Sequence, residues 1–163
     1  MNASRTKTLL VALGGFVVGA VVVAALTVVG MRSLMIVRHE SRLGFDETVA
    51  ELEKQVKANG WSVVGVSSMN KSMARHGVDF VPRVTLIKLC KAEYASRVLT
   101  DSRHLATMMP CTLAVYEADD GSVHVAKMNT GLMGKVFGGT VAEVMGGSVS
   151  RDEATMLASV VKP

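Results

Sequence analysis

Two cysteines, Cys90 and Cys111, have the most distinctive chemistry in this sequence. Cys90 ends one predicted strand and Cys111 begins another, and the two are not in CxxC spacing. Two such thiols cannot form a cysteine-only zinc site or a thioredoxin motif. A disulfide is one alternative if the domain faces an oxidising compartment. Free cysteines are more often small, buried hydrophobic residues.

The segment between the two cysteines decides whether they meet. It holds about twenty residues and a predicted helix, and crossovers of this kind usually join parallel strands. Parallel neighbours would place the thiols at opposite edges of the sheet, beyond the roughly 7 Å that a disulfide allows between Cα atoms. We therefore predict two separate, reduced thiols. Antiparallel strands would instead bring Cys90 and Cys111 to one edge, where a disulfide or a shared ligand site becomes feasible.

Methionine is abundant, with 11 residues, and some of it lies near other soft ligands. One helical stripe consists of Met69, Met73 and His76. A second cluster consists of Met108, Met109 and Cys111. Sulfur with imidazole suits Cu(I) or an axial haem position, but methionine at helical spacing more often fills a core. We predict core packing and no cofactor, with copper or haem as the alternatives.

Catalytic motifs are absent from the sequence. His76, His104 and His124 could each act as a general base, but no nucleophile elbow or paired carboxylates accompany them. The segment from Gly131 to Lys135 fails the phosphate-loop spacing. We therefore expect a binding protein rather than an enzyme.

The N-terminal segment predicts a membrane anchor. Residues 8–31 contain no charge, and 24 helical residues span roughly 36 Å, enough to cross a bilayer core of about 30 Å. Residues 1–7 form its flank and residues 32–43 a stalk. A cleaved signal peptide is the alternative, although its apolar region is normally shorter. Gly15 and Gly19 form a GxxxG pair that allows close helix packing.

The charge of the chain, +4 overall, is concentrated beside this apolar run. The flanking charges are Arg5, Lys7, Arg32, Arg38 and Arg42, against Glu40. Residues 44–163 carry 13 basic and 13 acidic side chains. This balance excludes a basic surface for nucleic acid, so we expect no nucleic-acid partner. Basic residues on both sides of the run leave its orientation open.

Helices and strands alternate after residue 43. Phe45, Val49, Leu52 and Val56 recur with helical spacing, and the Asp119-Asp120-Gly121 turn indicates a hairpin. Strands are predicted at 61–66, 84–90, 111–117 and 122–128, and helices at 45–58, 68–76, 92–99 and 152–161. The fold class is α+β: a two-layer sandwich of a mostly antiparallel sheet and helices, preceded by one transmembrane helix.

Four segments in order resemble the domain-of-unknown-function 302 family. They are FDETVAELEKQVKANGWSV, KSMARHGVDF, VTLIKLCKAEYASRVL and MPCTLAVYEADDGSVHVAKMN. The resemblance covers 44–130, which leaves 131–163 as a Gly/Met-rich extension with a final helix. It implies a compact two-layer fold, a homodimer and an exported or tethered domain on the extracytoplasmic (in a bacterium, periplasmic) side. Because both cysteines fall in matching elements, Cys90 and Cys111 are the leading site candidates.

Three functions fit these observations. The first is a membrane-anchored envelope domain that binds a small ligand or a protein partner without catalysis. The second is a redox, soft-metal or haem protein using Cys90, Cys111 and the Met/His set. The third is a structural subunit of a membrane complex. The expected partners are the lipid bilayer, a second copy of the chain and a membrane protein.

Overall fold

The computed structural model describes residues 14–16, 19–23, 30 and 34–163. The chain forms two compact units, Met1–Met35 and Ile36–Pro163. In the first, Gly15 and Gly19 are exposed helical residues. Most of the predicted membrane helix, 8–31, and all of its flank, 1–7, lie outside the described residues. Among the residues that are described, no helix has the length and hydropathy of a membrane span.

The second unit is built on one five-stranded antiparallel sheet. Its strands are β1 (Ile36–Glu40), β2 (Ser62–Ser68), β3 (Val84–Cys90), β4 (Cys111–Glu117) and β5 (Val123–Met128). Their order in the sheet is β1-β5-β4-β3-β2, and every neighbouring pair is antiparallel. The predicted α+β class with a mostly antiparallel sheet is confirmed.

The helices follow the predicted alternation. They are α1 (Phe45–Ala58), α2 (Met69–Ala74), α3 (Ala92–Asp101), a 3₁₀ helix (Arg103–Met108), α4 (Thr130–Phe137), α5 (Gly139–Val141), a π-helix (Ala142–Val149) and α6 (Ser150–Leu157). The backbone stays helical from α5 through the π-helix into α6, since their shared boundary residues have helical dihedrals.

The core lies between one face of the sheet and the helices. Leu52 and Val56 of α1 are fully buried, as the helical spacing predicts. They belong to one cluster with the inward residues of the central strands, which are Ile87, Leu89, Leu113, Val115 and Val125. The alternation of these residues with more exposed ones places them on one face of the sheet.

The predicted parallel arrangement of β3 and β4 is wrong. The two strands are antiparallel neighbours, and Leu89 lies opposite Cys111. The long connection through α3 and the 3₁₀ helix returns the chain to the end of the sheet that it left. Cys90 and Cys111 therefore lie at the same end of the sheet.

The expected stalk and extension both belong to the folded unit. Residues 36–40 of the stalk form edge strand β1, which pairs with β5 from Ile36–Met128 to Glu40–His124. Arg42 donates hydrogen bonds at 3.0 Å to the carbonyls of Ala158 and Val161. The expected extension supplies core side chains, which are Val141, Val144, Met145, Val149, Met156, Leu157 and Val160. The predicted boundaries after residues 43 and 130 therefore do not divide the folded unit into separately packed parts.

A close contact between glycines joins α4 to the π-helix. A Cβ on Gly134 would lie 2.7 Å from the Gly146 Cα atom. Gly138 separates α4 from α5 with φ of 67°, a conformation that glycine adopts without steric cost. The two helical segments thus form a hairpin whose π-helical turn carries Met145.

Candidate functional site

A cleft of about 520 Å³ opens at the end of the sheet where β4 begins and β5 ends. We call it the sheet-end cleft. One wall is formed by residues on the partly exposed face of the sheet, which are Ile36, Lys88, Thr112, Ala114, Ala126 and Met128. Its wall toward the helical layer consists of Met108, Met109, Cys111, Lys127, Thr130, Met145 and Glu153. The cleft is mainly apolar, with a few polar groups at one side.

Lys127 and Glu153 form a buried ion pair in this wall. The Lys127 Nζ atom donates to Glu153 Oε2 at 2.8 Å, and the side chains are 10% and 4% exposed. Thr130 Oγ1 donates to the same carboxylate oxygen at 2.9 Å. Removing two charges from water costs free energy that their attraction offsets only with good geometry. The pair is neutral overall, so it offers the cleft a hydrogen-bonding surface without net charge.

The pKa of the Cys111 thiol is raised to about 12. Burial is the largest cause, the carboxylate of Glu153 and the thiol of Cys90 add to it, and Lys127 opposes it. A thiol with this pKa is protonated at neutral pH. Because the thiolate is the nucleophile, Cys111 is unsuited to redox exchange by itself.

Three sulfur-bearing side chains separate the sheet-end cleft from a smaller cavity. Met109, Cys111 and Met145 line both spaces. The smaller cavity has a volume of about 20 Å³ and also touches Cys90 and Trp61. Cys111 shares the inward face of its partner Leu89, whereas Cys90 lines only the smaller cavity. Both cysteines are free thiols in the structure.

The other predicted site residues lie elsewhere. Met69 and Met73 are on α2, which contains no buried residue, and His76 is exposed just beyond it. Met69 and Met73 are half-buried and lie outside the core cluster, so the prediction that this stripe fills the core is wrong. Met108 and Met109 do pack against the core and line the sheet-end cleft. Within residues 34–163 and the described helical residues, no three His, Cys, Asp or Glu side chains are placed to hold a metal.

His124 has partners that superficially suit a catalytic triad. Its Nε2 atom lies 2.8 Å from Ser122 Oγ, and that hydroxyl is 2.6 Å from Asp120 Oδ1. The carboxylate thus contacts the serine rather than the histidine, so it cannot orient the imidazole as a general base. Tyr116 stacks on the ring at 5.4 Å. The group stabilises the β4–β5 hairpin.

The residues that sequence reasoning missed are Lys127, Thr130, Met145 and Glu153. A signal for Lys127 existed, because it follows Val123 and Val125 at an inward position of a strand. Glu153 lies three and four residues before the buried Met156 and Leu157 of α6. A charged residue at an apolar position of a strand, together with an opposite charge on the apolar face of a helix, indicates a buried ion pair.

The fold and cleft define a class: a two-layer α+β domain with one sheet and an open cleft at its end. The chain belongs to the family described as domain of unknown function DUF302, whose model matches residues 37–159. This range includes all of β1 except its first residue, and most of the segment after residue 130. The resemblance inferred from the sequence is thereby confirmed at the level of the family.

A solved structure shares the fold. It is the crystal structure of an uncharacterized conserved protein DUF302 from Bacillus stearothermophilus, with a TM-score of 0.68 and 23% identity. The match covers 77% of this chain and 98% of that chain. No curated protein matches this chain.

Proposed function

We propose that residues 36–163 bind a small, largely apolar ligand in the sheet-end cleft without catalysing its conversion. The observation that carries this proposal is the cleft itself. Its volume of about 520 Å³ falls within the roughly 300–1,000 Å³ that is usual for small-molecule sites. Such sites combine apolar walls with a few polar groups that orient the ligand, and Lys127, Glu153 and Thr130 fill that role.

The chemistry of the cleft favours binding over turnover. The thiol of Cys111 is protonated at neutral pH because burial raises its pKa. The Lys127 ammonium and the Glu153 carboxylate neutralise each other. The site therefore holds no free nucleophile or unpaired base among these groups, and its polar atoms serve recognition.

The proposal includes attachment of this domain to a membrane. The uncharged run of residues 8–31 supports an uncleaved anchor, and the family resemblance supports an extracytoplasmic side and a homodimer. Carbonate extraction of cells that express the full chain is the test. We expect the intact chain in the membrane pellet, whereas a shortened soluble chain would indicate a cleaved signal.

Ligand binding is testable with apolar probes and methionine labelling. The full chain, labelled at the methionine methyl groups and held in lipid nanodiscs, is titrated with indole, 2-naphthol and cyclohexanol. We expect saturable shifts of the cleft methionines Met108, Met109, Met128 and Met145. The methyl groups of Met69 and Met73, on α2, should not move.

Two tryptophan variants provide the matched comparison. Ala126→Trp fills the cleft from the sheet face, and Ser67→Trp places the same side chain on β2, away from it. Probe shifts should disappear in the first variant and remain in the second. Absence of saturable shifts with all three probes, or shifts unchanged by Ala126→Trp, would overturn the proposal.

A further inference from the structure

The wall shared by the two cavities contains three residues with soft sulfur donors. Met109 precedes β4, Cys111 begins that strand, and Met145 comes from the π-helix. All three line both the sheet-end cleft and the smaller cavity. The chain thus converges on this wall from positions up to 36 residues apart, and π-helical turns are frequent at functional sites.

We propose that Cys111, Met109 and Met145 bind a single soft monovalent cation, Cu(I), at this wall. Thiolate and thioether sulfur are the ligands that select Cu(I) among biological metals. Divalent metals lack ligands there, because the described residues include no group of three His, Cys, Asp or Glu that could hold an ion. The nearby Glu153 carboxylate is already engaged by Lys127 and Thr130.

Charge balance also favours a monovalent cation. Binding exchanges the thiol proton of Cys111 for the metal: the S–H bond breaks, an S–Cu bond forms, the proton leaves to solvent, and the copper stays in the +1 state. The net charge of the buried wall is unchanged. A divalent ion would leave one uncompensated positive charge in a poorly solvated place, which is costly.

This site goes beyond the proposed function, since it needs no organic ligand. It also differs from a site that spans both cysteines. Cys90 lines only the smaller cavity and not the wall that the two cavities share, so it is not among the proposed ligands. Cys90→Ala is therefore a matched control for Cys111→Ala.

The test is a competition titration of the full chain in detergent. Under anaerobic conditions with ascorbate, the protein is titrated with Cu(I) against bicinchoninate. We expect one Cu(I) per chain. Cys111→Ala should weaken binding by more than about 100-fold, and Met109→Leu and Met145→Leu by about tenfold each. Cys90→Ala and Met156→Leu, a core methionine outside both cavities, should bind as the wild type does.

The pH dependence gives a second readout. Because binding displaces one thiol proton, the affinity should rise about tenfold per pH unit between pH 6 and 8, after correction for the chelator. Ag(I), a redox-inert probe, should shift the labelled methyl groups of Met109 and Met145 in the wild-type chain. The Ag(I) titration tests the proposed site in the wild-type chain, so it remains decisive even if Cys111→Ala does not fold.

Three outcomes would overturn the site. They are failure to compete with bicinchoninate, binding unchanged in Cys111→Ala, and an affinity independent of pH. Loss of Cu(I) binding while the indole shifts persist would reject only this inference. Absence of the indole shifts with Cu(I) binding intact would reject only the proposal that the sheet-end cleft binds an apolar ligand.

Discussion

Lys127 and Glu153 are the residues whose burial most needs a physical account. Each carries a charge that would be strongly hydrated in the unfolded chain. In the folded unit, Lys127 and Thr130 both donate hydrogen bonds to the Glu153 carboxylate in the wall of the cleft. A buried pair of this kind adds little net stability, but breaking it leaves one charge without compensation. Its position beside Cys111 also links it electrostatically to the thiol.

Removing one member of the pair should therefore cost more than removing both. We expect Lys127→Met to lower the free energy of unfolding by about 3 kcal/mol, and Lys127→Met/Glu153→Met to recover most of that loss. Lys162→Met breaks an exposed pair with Glu40 and should cost less than about 1 kcal/mol. Urea unfolding of the four proteins measures these values. A double variant no more stable than Lys127→Met would contradict the account.

The raised pKa of Cys111 predicts a loss of stability at alkaline pH. The folded thiol titrates near 12, against 9.0 for an ordinary thiol, so the folded state binds its proton more tightly. This contribution is complete below pH 9 and is lost as pH rises toward 12. The expected slope is about 1 kcal/mol per pH unit.

Substitution of the thiol isolates this slope from that of other groups. In Cys111→Ala the fall in unfolding free energy between pH 9 and 10.5 should be shallower than in the wild type. Cys90→Ala should keep most of the wild-type slope, because burial, the largest cause of the raised Cys111 pKa, does not depend on Cys90. Equal slopes in Cys111→Ala and the wild type would show that the Cys111 thiol is not held protonated by its surroundings.

At the scale of elements, the hairpin of α4 and the π-helix decides where Met145 and the α6 carboxylates lie. The two helical segments approach through Gly134 and Gly146, with no side chain between them. A second contact joins α6 to the residue before β2 and the residue after β3. Asp152 Oδ2 accepts a hydrogen bond from Trp61 Nε1 at 2.9 Å and pairs with Lys91 at 3.3 Å.

Close backbone contact makes Gly134 sensitive to substitution. In Gly134→Ala the new Cβ would lie 2.7 Å from the Gly146 Cα atom, so the helices must separate, at a cost of about 1–3 kcal/mol. Gly147→Ala meets only the Ala142 carbonyl oxygen, at 3.9 Å, and should change stability by less than about 0.5 kcal/mol. Thermal unfolding checks both. Equal effects of the two substitutions would refute the packing argument.

At the scale of the molecule, strand β1 and the C-terminal residues close the folded unit. β1 covers the edge of β5, and an uncovered edge strand favours aggregation. Arg42 and Ser41 then bond to the end of the chain, at Val161 and Val160. The unit therefore begins at residue 36 rather than at 44.

Two fragments test where the folded unit begins. Residues 36–163 should unfold cooperatively, because they contain the whole sheet and core. Residues 44–163 lose β1 and the Arg42 contacts, so they should unfold at a lower urea concentration and aggregate more readily. Circular dichroism and light scattering follow both properties. Equal urea midpoints for the two fragments would mean that β1 is dispensable.

Local patterns in the sequence determined most elements of the fold. β3 and β4 occur at the predicted residues, and the Asp-Gly turn joins β4 to β5, because alternation and turn chemistry act over a few neighbouring positions. The segments that resemble the family predicted the α+β class. Cys111, Met108 and Met109 were recognised as site candidates.

Only the tertiary structure decided which of these pieces meet. The short β1 becomes a strand only by pairing with β5, some ninety residues later, since its alternation is hidden beside a long apolar run. The antiparallel register of β3 and β4, rather than the length of their connection, sets the positions of Cys90 and Cys111. The Lys127–Glu153 pair arises because the tertiary fold brings Glu153 of α6 beside Lys127 of β5. Long-range packing, which no local pattern encodes, assembles the cleft.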